Sequence, residues 1–129
     1  MAFGGGVIDP TSFVADAALQ PYQFVQMNTG SGHSDMGVIP ASTAGQAVVG
    51  ITDDGGQPSV GMGVEIAIGG TVQAQLDSGS AAVTPGMALY VAATGYASSV
   101  TSTGYVQIAT ALEAGVAGQI IRVALKSAS

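Results

Sequence analysis

The sequence predicts an all-β fold, a single β-sandwich or β-barrel-like domain carrying an N-terminal arm. Two observations predict it. Apolar residues recur with a period of two along several short segments, the mark of half-buried strands. Turns rich in Gly and Pro then punctuate those segments at roughly ten-residue spacing, the rhythm of sandwiches and barrels. The 129 residues, 20 of them Gly, fit one compact domain and leave no room for a second independent core.

The clearest strand lies at 60–68, where Val60, Met62, Val64, Ile66 and Ile68 alternate with Gly61, Gly63, Glu65 and Ala67. Gly69-Gly70 follows, a pair able to take the positive φ of a tight turn. The return segment sets Val72, Ala74 and Leu76 on one face and Thr71, Gln73 and Gln75 on the other. Together they predict a hairpin. Thr84-Pro85-Gly86 is a turn, because Pro fixes φ and Gly relaxes it. After it Met87, Leu89 and Val91 alternate with Ala88 and Tyr90, and Gly95 ends that strand. Beyond Gly104, the expectation is that Val106, Ile108, Thr110 and Leu112 share one face, opposite Gln107, Ala109, Ala111 and Glu113. Gly115 and Gly118 bracket a turn, and the last strand turns Ile121, Val123 and Leu125 inward and Arg122 and Lys126 outward. Upstream, Tyr22 to Met27 and Ala47 to Thr52 read as strands, separated by the Gly/Ser-rich stretch Asn28 to Ser34.

Residues 1–20 read as an N-terminal arm and 21–129 as the β domain. In the arm, Asp9-Pro10 has the form of a helix N-cap followed by Pro at the first helical position. Two readings of Thr11 to Leu19 stand side by side: a short helix stopped by Gln20-Pro21, or an extended arm that orders on a neighbouring subunit. Met1 to Gly6 lacks the basic and apolar regions of a signal peptide.

Charge is the most informative part of the composition. Only 8% of residues are charged, against roughly 25% in ordinary soluble domains. Uncharged sheet faces can be buried against a partner without desolvating many ions. They also lack the Lys and Glu that normally discourage edge pairing. A net charge of −6, with Arg122 and Lys126 as the only Lys or Arg, argues against nucleic acid, because phosphates are repelled. Apolar residues reach 47%, yet no uninterrupted apolar run approaches the ~18 residues of a membrane helix. With no Cys, disulfides and thiolate chemistry are excluded.

Three segments carry residues used in catalysis or metal binding, and each lacks a required partner. Asp77-Ser78-Gly79 resembles the catalytic turn of retroviral-type aspartic proteases, which pair two such aspartates across a dimer. The downstream Gln119-Ile120-Ile121-Arg122 lacks the Gly that packs beneath that turn. Asp53-Asp54-Gly55-Gly56 is acidic, but Gln57-Pro58-Ser59 supplies no further calcium ligands at the required offsets. His33, the single histidine, lies in a Gly/Ser loop with no nucleophile elbow beside it. No enzyme, cofactor or small-molecule substrate is expected.

The segment Val106 to Val123, read as Ala111-Leu112-Glu113-Ala114, a Gly turn and an apolar strand ending Arg122-Val123, resembles the C-terminal signature of tailed-phage capsid decoration, or cement, proteins. Val83 to Val91 with Gly95-Tyr96-Ala97, Gly50-Ile51-Thr52 and Glu65 to Ala74 extend the similarity over roughly residues 47 to 125. The resemblance implies a homotrimer, made in the host cytoplasm, that sits on the outer surface of the mature head. There it bridges major capsid protein subunits and stabilises the shell through many weak contacts. Another virion module, such as a head-fibre base or a tail-surface domain, is the alternative. Phe3, Val7, Ile8 and Phe13 are large apolar groups in a segment too short to bury them alone, which makes them candidate capsid contacts. Their other reading is that they cap the domain's own barrel. The outward residues Thr71, Gln73 and Gln75 are the candidate oligomer contacts.

Overall fold

A computed structural model describes residues 12–42, 48–53 and 59–126. Ten strands run through them in chain order: β1 (Ser12–Ala15), β2 (Phe24–Met27), β3 (Gly37–Pro40), β4 (Val48–Thr52), β5 (Gly63–Ala67), β6 (Thr71–Gln75), β7 (Ala88–Val91), β8 (Ala97–Ser98), β9 (Ala109–Ala111) and β10 (Ile120–Leu125). The fold is all-β. The first five strands close into a barrel in the order β1-β3-β2-β4-β5, and the last five form a sheet in the order β6-β10-β9-β7-β8. Every strand pair is antiparallel except β1 with β3. A parallel bridge from Leu76 to Ala97 brings the two ends of the sheet together, so that it curls on itself.

Two apolar clusters follow from this layout. Phe13, Ala15, Leu19, Val25, Val38 and Ile66 fill the barrel. A larger cluster, including Leu76, Leu89, Val91, Ala109, Ala111, Ile121 and Val123, fills the curled sheet. The barrel strands β2 and β4 contribute Phe24 and Ile51 to that second cluster. Along β2 the period of two therefore serves two cores, since Phe24 points to the sheet and Val25 into the barrel. Each unit is too small to bury both faces of its strands alone, and stacking one on the other solves this.

Polar contacts hold the junction. Gln23 is 5% exposed. Its backbone N–H donates to Thr52 Oγ1 at 2.9 Å, its Nε2 to the Thr94 carbonyl at 2.8 Å, and its Oε1 accepts the Gln20 N–H at 3.0 Å. Thr52 Oγ1 donates in turn to the Gln20 carbonyl at 2.6 Å, and Phe24 N–H donates to Gly95 O at 2.8 Å. Because the groups around Gln23 are satisfied, the buried amide fixes the stacking without a desolvation penalty.

Three expectations are corrected here. The segment after residue 11 is a strand and not a helix: β1 pairs with β5 in the register Ser12↔Glu65 and Phe13↔Val64, and with β3 at Val14↔Gly37. Both edges of β1 are used, which a helix cannot offer. Residues 12–19 thus belong to the barrel rather than to an arm. Second, β5 and β6 do not form a hairpin. β5 pairs with β1 and β4, and β6 pairs with β10. Gly70, at φ 84°, turns the chain out of the barrel and into the sheet, a conformation costly for any residue with a Cβ. Third, the alternation breaks at β9: Ile108 just before it is buried as expected, but Ala109 and Ala111 are buried too, whereas Leu112 is exposed. Small side chains fit where the sheet curls over Leu76 and Ile121.

Candidate functional site

The outer face of the curled sheet follows from β10. Its odd residues Ile121 and Val123 are buried, so Ile120, Arg122 and Ala124 point outward. Directly paired residues share a face, and the register sets Ile120 beside Gln75, Arg122 beside Gln73, and Ala124 beside Thr71 on β6. On the other flank Ala124 pairs with Thr110, and Thr110 with Ala88. Leu112, whose N–H donates to the Arg122 carbonyl at 2.9 Å, completes the row Gln73–Arg122–Leu112. Thr71, Gln73 and Gln75 thus lie on one face, as the alternation predicted.

This face carries one ion pair. Arg122 Nε lies 3.4 Å from Glu113 Oε2, and the same oxygen accepts the Arg122 backbone N–H. Both side chains are exposed, so the pair adds at most about 1 kcal/mol and serves mainly to fix the guanidinium. Around it stand Leu112 and Ile120, each 46% exposed. Sequence reasoning missed Leu112, which the alternation sets on the face of Ile108, and passed over Ile120, which the alternation of the last strand already turns outward with Arg122. At the far rim Tyr105 leans on Tyr90, ring centroids 6.5 Å apart, next to exposed Val106.

A second apolar group, Met36, Val60 and Met62, is exposed where loops flank β1. The Met36 and Met62 carbonyls accept the Val14 and Ala15 N–H groups at 3.0 and 2.9 Å. Between the units runs a shallow groove of about 200 Å³, lined by Tyr22, Ile51, Thr52, Asp53, Ala67, Val72 and Gln73.

Of the candidate capsid contacts, Phe13 is 8% exposed and its ring is committed to the barrel interior. Phe3, Val7 and Ile8 lie outside the described residues, as does Asp54. The residues considered for chemistry stay apart. Asp77 makes local loop contacts, accepting from the Gly79 N–H at 2.8 Å and the Thr94 hydroxyl at 2.6 Å. His33 is exposed, with Nδ1 3.4 Å from the Ser34 carbonyl. Asp16 gathers the Ser34 N–H at 2.9 Å and the Asn28 amide at 3.0 Å. Its carboxyl is held below its ordinary value chiefly by the Ser34 backbone bond, then by Asn28. Among the described residues, Asp77, His33 and Asp53 are not brought together.

No protein-family model and no curated protein matches the chain. Among solved structures it is similar to the head fiber gp8.5 N base in bacteriophage phi29, with a TM-score of 0.64 over 89% of this chain and 91% of that one, at 13% identity. The two share a fold. At that identity the likeness is one of fold and does not extend to individual side chains.

Proposed function

We propose that this chain is an external structural module of a tailed-phage virion, most closely a base that seats a fibre on the head. The observation that carries the reading is the fold shared, over nine-tenths of both chains, with a head-fibre base. The outer sheet face supports it, being broad and largely uncharged, with exposed Leu112 and Ile120 around its ion pair. Such a face is suited to lie against other subunits, because its burial desolvates one ion pair and little else. In this reading the partner is the major capsid protein and the copies form a homotrimer on the outside of the head. The protein is made in the host cytoplasm and does not engage nucleic acid, membrane or a small-molecule substrate.

A second reading, a decoration protein that cements the shell, is favoured by the C-terminal pattern Ala111-Leu112-Glu113-Ala114 to Val123. The two differ in what they carry: a base holds a fibre, whereas a cement protein acts by bridging alone. Purified protein mixed with mature heads lacking it is expected to co-sediment with them. Leu112→Lys and Ile120→Lys should each weaken that binding roughly tenfold, as loss of a central apolar contact does. Co-sedimentation unaffected by both substitutions would take the outer face out of the docking surface.

A further inference from the structure

The curled sheet ends on β6, and the backbone of β6 is only half used. Leu76 N–H donates to Gln119 O and Leu125 N–H to Gly70 O, at 2.8 and 2.9 Å. In an antiparallel ladder bonded residues alternate, so Val72 and Ala74 face β10 and Thr71, Gln73 and Gln75 turn their backbone groups away. Gln75 N–H finds the Tyr22 carbonyl at 3.4 Å and Asp77 N–H finds Ala97 O at 2.7 Å. Among the described residues, Thr71 and Gln73 have no such partner on that side. Gln73 borders the groove, which Ile51, Ala67 and Val72 line together with Tyr22, Thr52 and Asp53. Sheet edges are normally guarded by Lys, Pro, a bulge or a covering element. Thr71-Val72-Gln73-Ala74-Gln75 has no charge and no Pro, and its pairing with β10 runs without a register shift.

We propose that this edge pairs with β6 of a second copy, antiparallel about a two-fold axis. One register satisfies all four free groups: Thr71 opposite Gln73 of the other copy, Gln73 opposite Thr71, and Val72 opposite Val72 on the axis. Each Thr71–Gln73 pair exchanges two N–H···O bonds, four in all. The two valines meet beside the groove, and the pairing ends at Gln73, because the Gln75 N–H is already taken by the Tyr22 carbonyl. Two copies of net charge −6 repel one another; β6 itself brings no charged side chain to the axis, although each copy carries Asp53 in the groove beside it. Arg122, the nearest cation, is already held by Glu113. The contact joins copies in pairs, either alone or between larger assemblies, and stands whether or not the virion reading does.

The test uses the full chain, which has no native cysteine. In the stated register residue 72 forms a non-hydrogen-bonded pair with its counterpart, Cα atoms about 4.5 Å apart, within disulfide reach. Val72→Cys is expected to form a covalent dimer under mild oxidant, and Thr71→Cys is not. Gln73→Lys places a charge at an exposed position and leaves the fold intact. Its mass by light scattering should be half that of the wild type at equal concentration, and raising salt should strengthen wild-type pairing by screening the net charge. Equal masses for wild type and Gln73→Lys would overturn the proposal, as would cross-linking through residue 71 rather than 72. A wild type that stays unpaired yet takes up an extended peptide along β6 would overturn it too, assigning the edge to a foreign strand.

Discussion

Asp16 shows how single polar residues fasten the barrel's loops. Its carboxylate collects the Ser34 N–H and the Asn28 amide, and a Cβ on Gly37 would fall against that same oxygen, so the turn before β3 is shaped around it. These bonds lower its pKa from 3.8. A group with a depressed folded pKa contributes stability that is fully present above the unfolded value and is lost as pH falls through the folded one. Asp16→Asn is therefore expected to lower the urea midpoint at neutral pH, with the gap from wild type closing below about pH 4. A gap of equal size at pH 7 and pH 3 would show that the carboxylate's charge plays no part. Gln23 acts at the junction. Gln23→Leu strands the Thr94 carbonyl and the Gln20 N–H, at an expected cost of about 1–3 kcal/mol in denaturant melts. Neither residue announced its role in the sequence, because Asp16 precedes its loop partners by 12 and 18 residues and Gln23 lies 71 from Thr94.

At the level of elements, the alternation told more about faces than about partners. β7 and β10 have the predicted inward residues, since Leu89, Val91, Ile121 and Val123 are all buried. Periodicity does not say which strand lies beside which, and so β5 and β6 read as a hairpin although they belong to different units. β1 was hidden for another reason: Phe13 and Ala15 point into the barrel from a four-residue strand behind an Asp-Pro pair that imitates a helix start. β3 escaped notice because Gly and Pro sit at its ends. The place of β1 sharpens any test of the N-terminal contacts. Deleting residues 1–11 removes Phe3, Val7 and Ile8 and leaves every described strand whole, so the protein should still unfold cooperatively. Deletion through residue 15 removes a barrel stave and should abolish that transition. β4 makes a similar point about close approach. A Cβ on Gly50 would fall against the Ala67 carbonyl and lie 2.6 Å from Ile66 Cγ2. Gly50→Ala should therefore cost about 1–3 kcal/mol in thermal or urea unfolding, the usual penalty for overpacking.

Taken together, the described residues form two stacked β units, a closed barrel and a curled sheet, sharing Phe24 and Ile51 across a satisfied polar junction. Fold class and the low charge were legible from composition and periodicity. The division into two units was not, since a chain of 129 residues reads as one core when partners are unknown. Of the outward face, Thr71, Gln73 and Gln75 were legible as polar alternates. Ile120 shares the outward parity of Arg122, whereas Leu112 needed the register. The architecture gives the molecule distinct surfaces: a charge-poor outer face, a free β6 edge, and the group of Met36, Val60 and Met62 beside β1. A base standing on a shell and bearing a fibre needs at least two such surfaces. Symmetry-averaged electron cryomicroscopy of the particle tests this most directly. The account predicts density for the barrel and curled sheet on the outside of the head, in contact with capsid subunits and continuous with a fibre. Density that places the chain inside the shell, on the tail, or nowhere on the particle would contradict it.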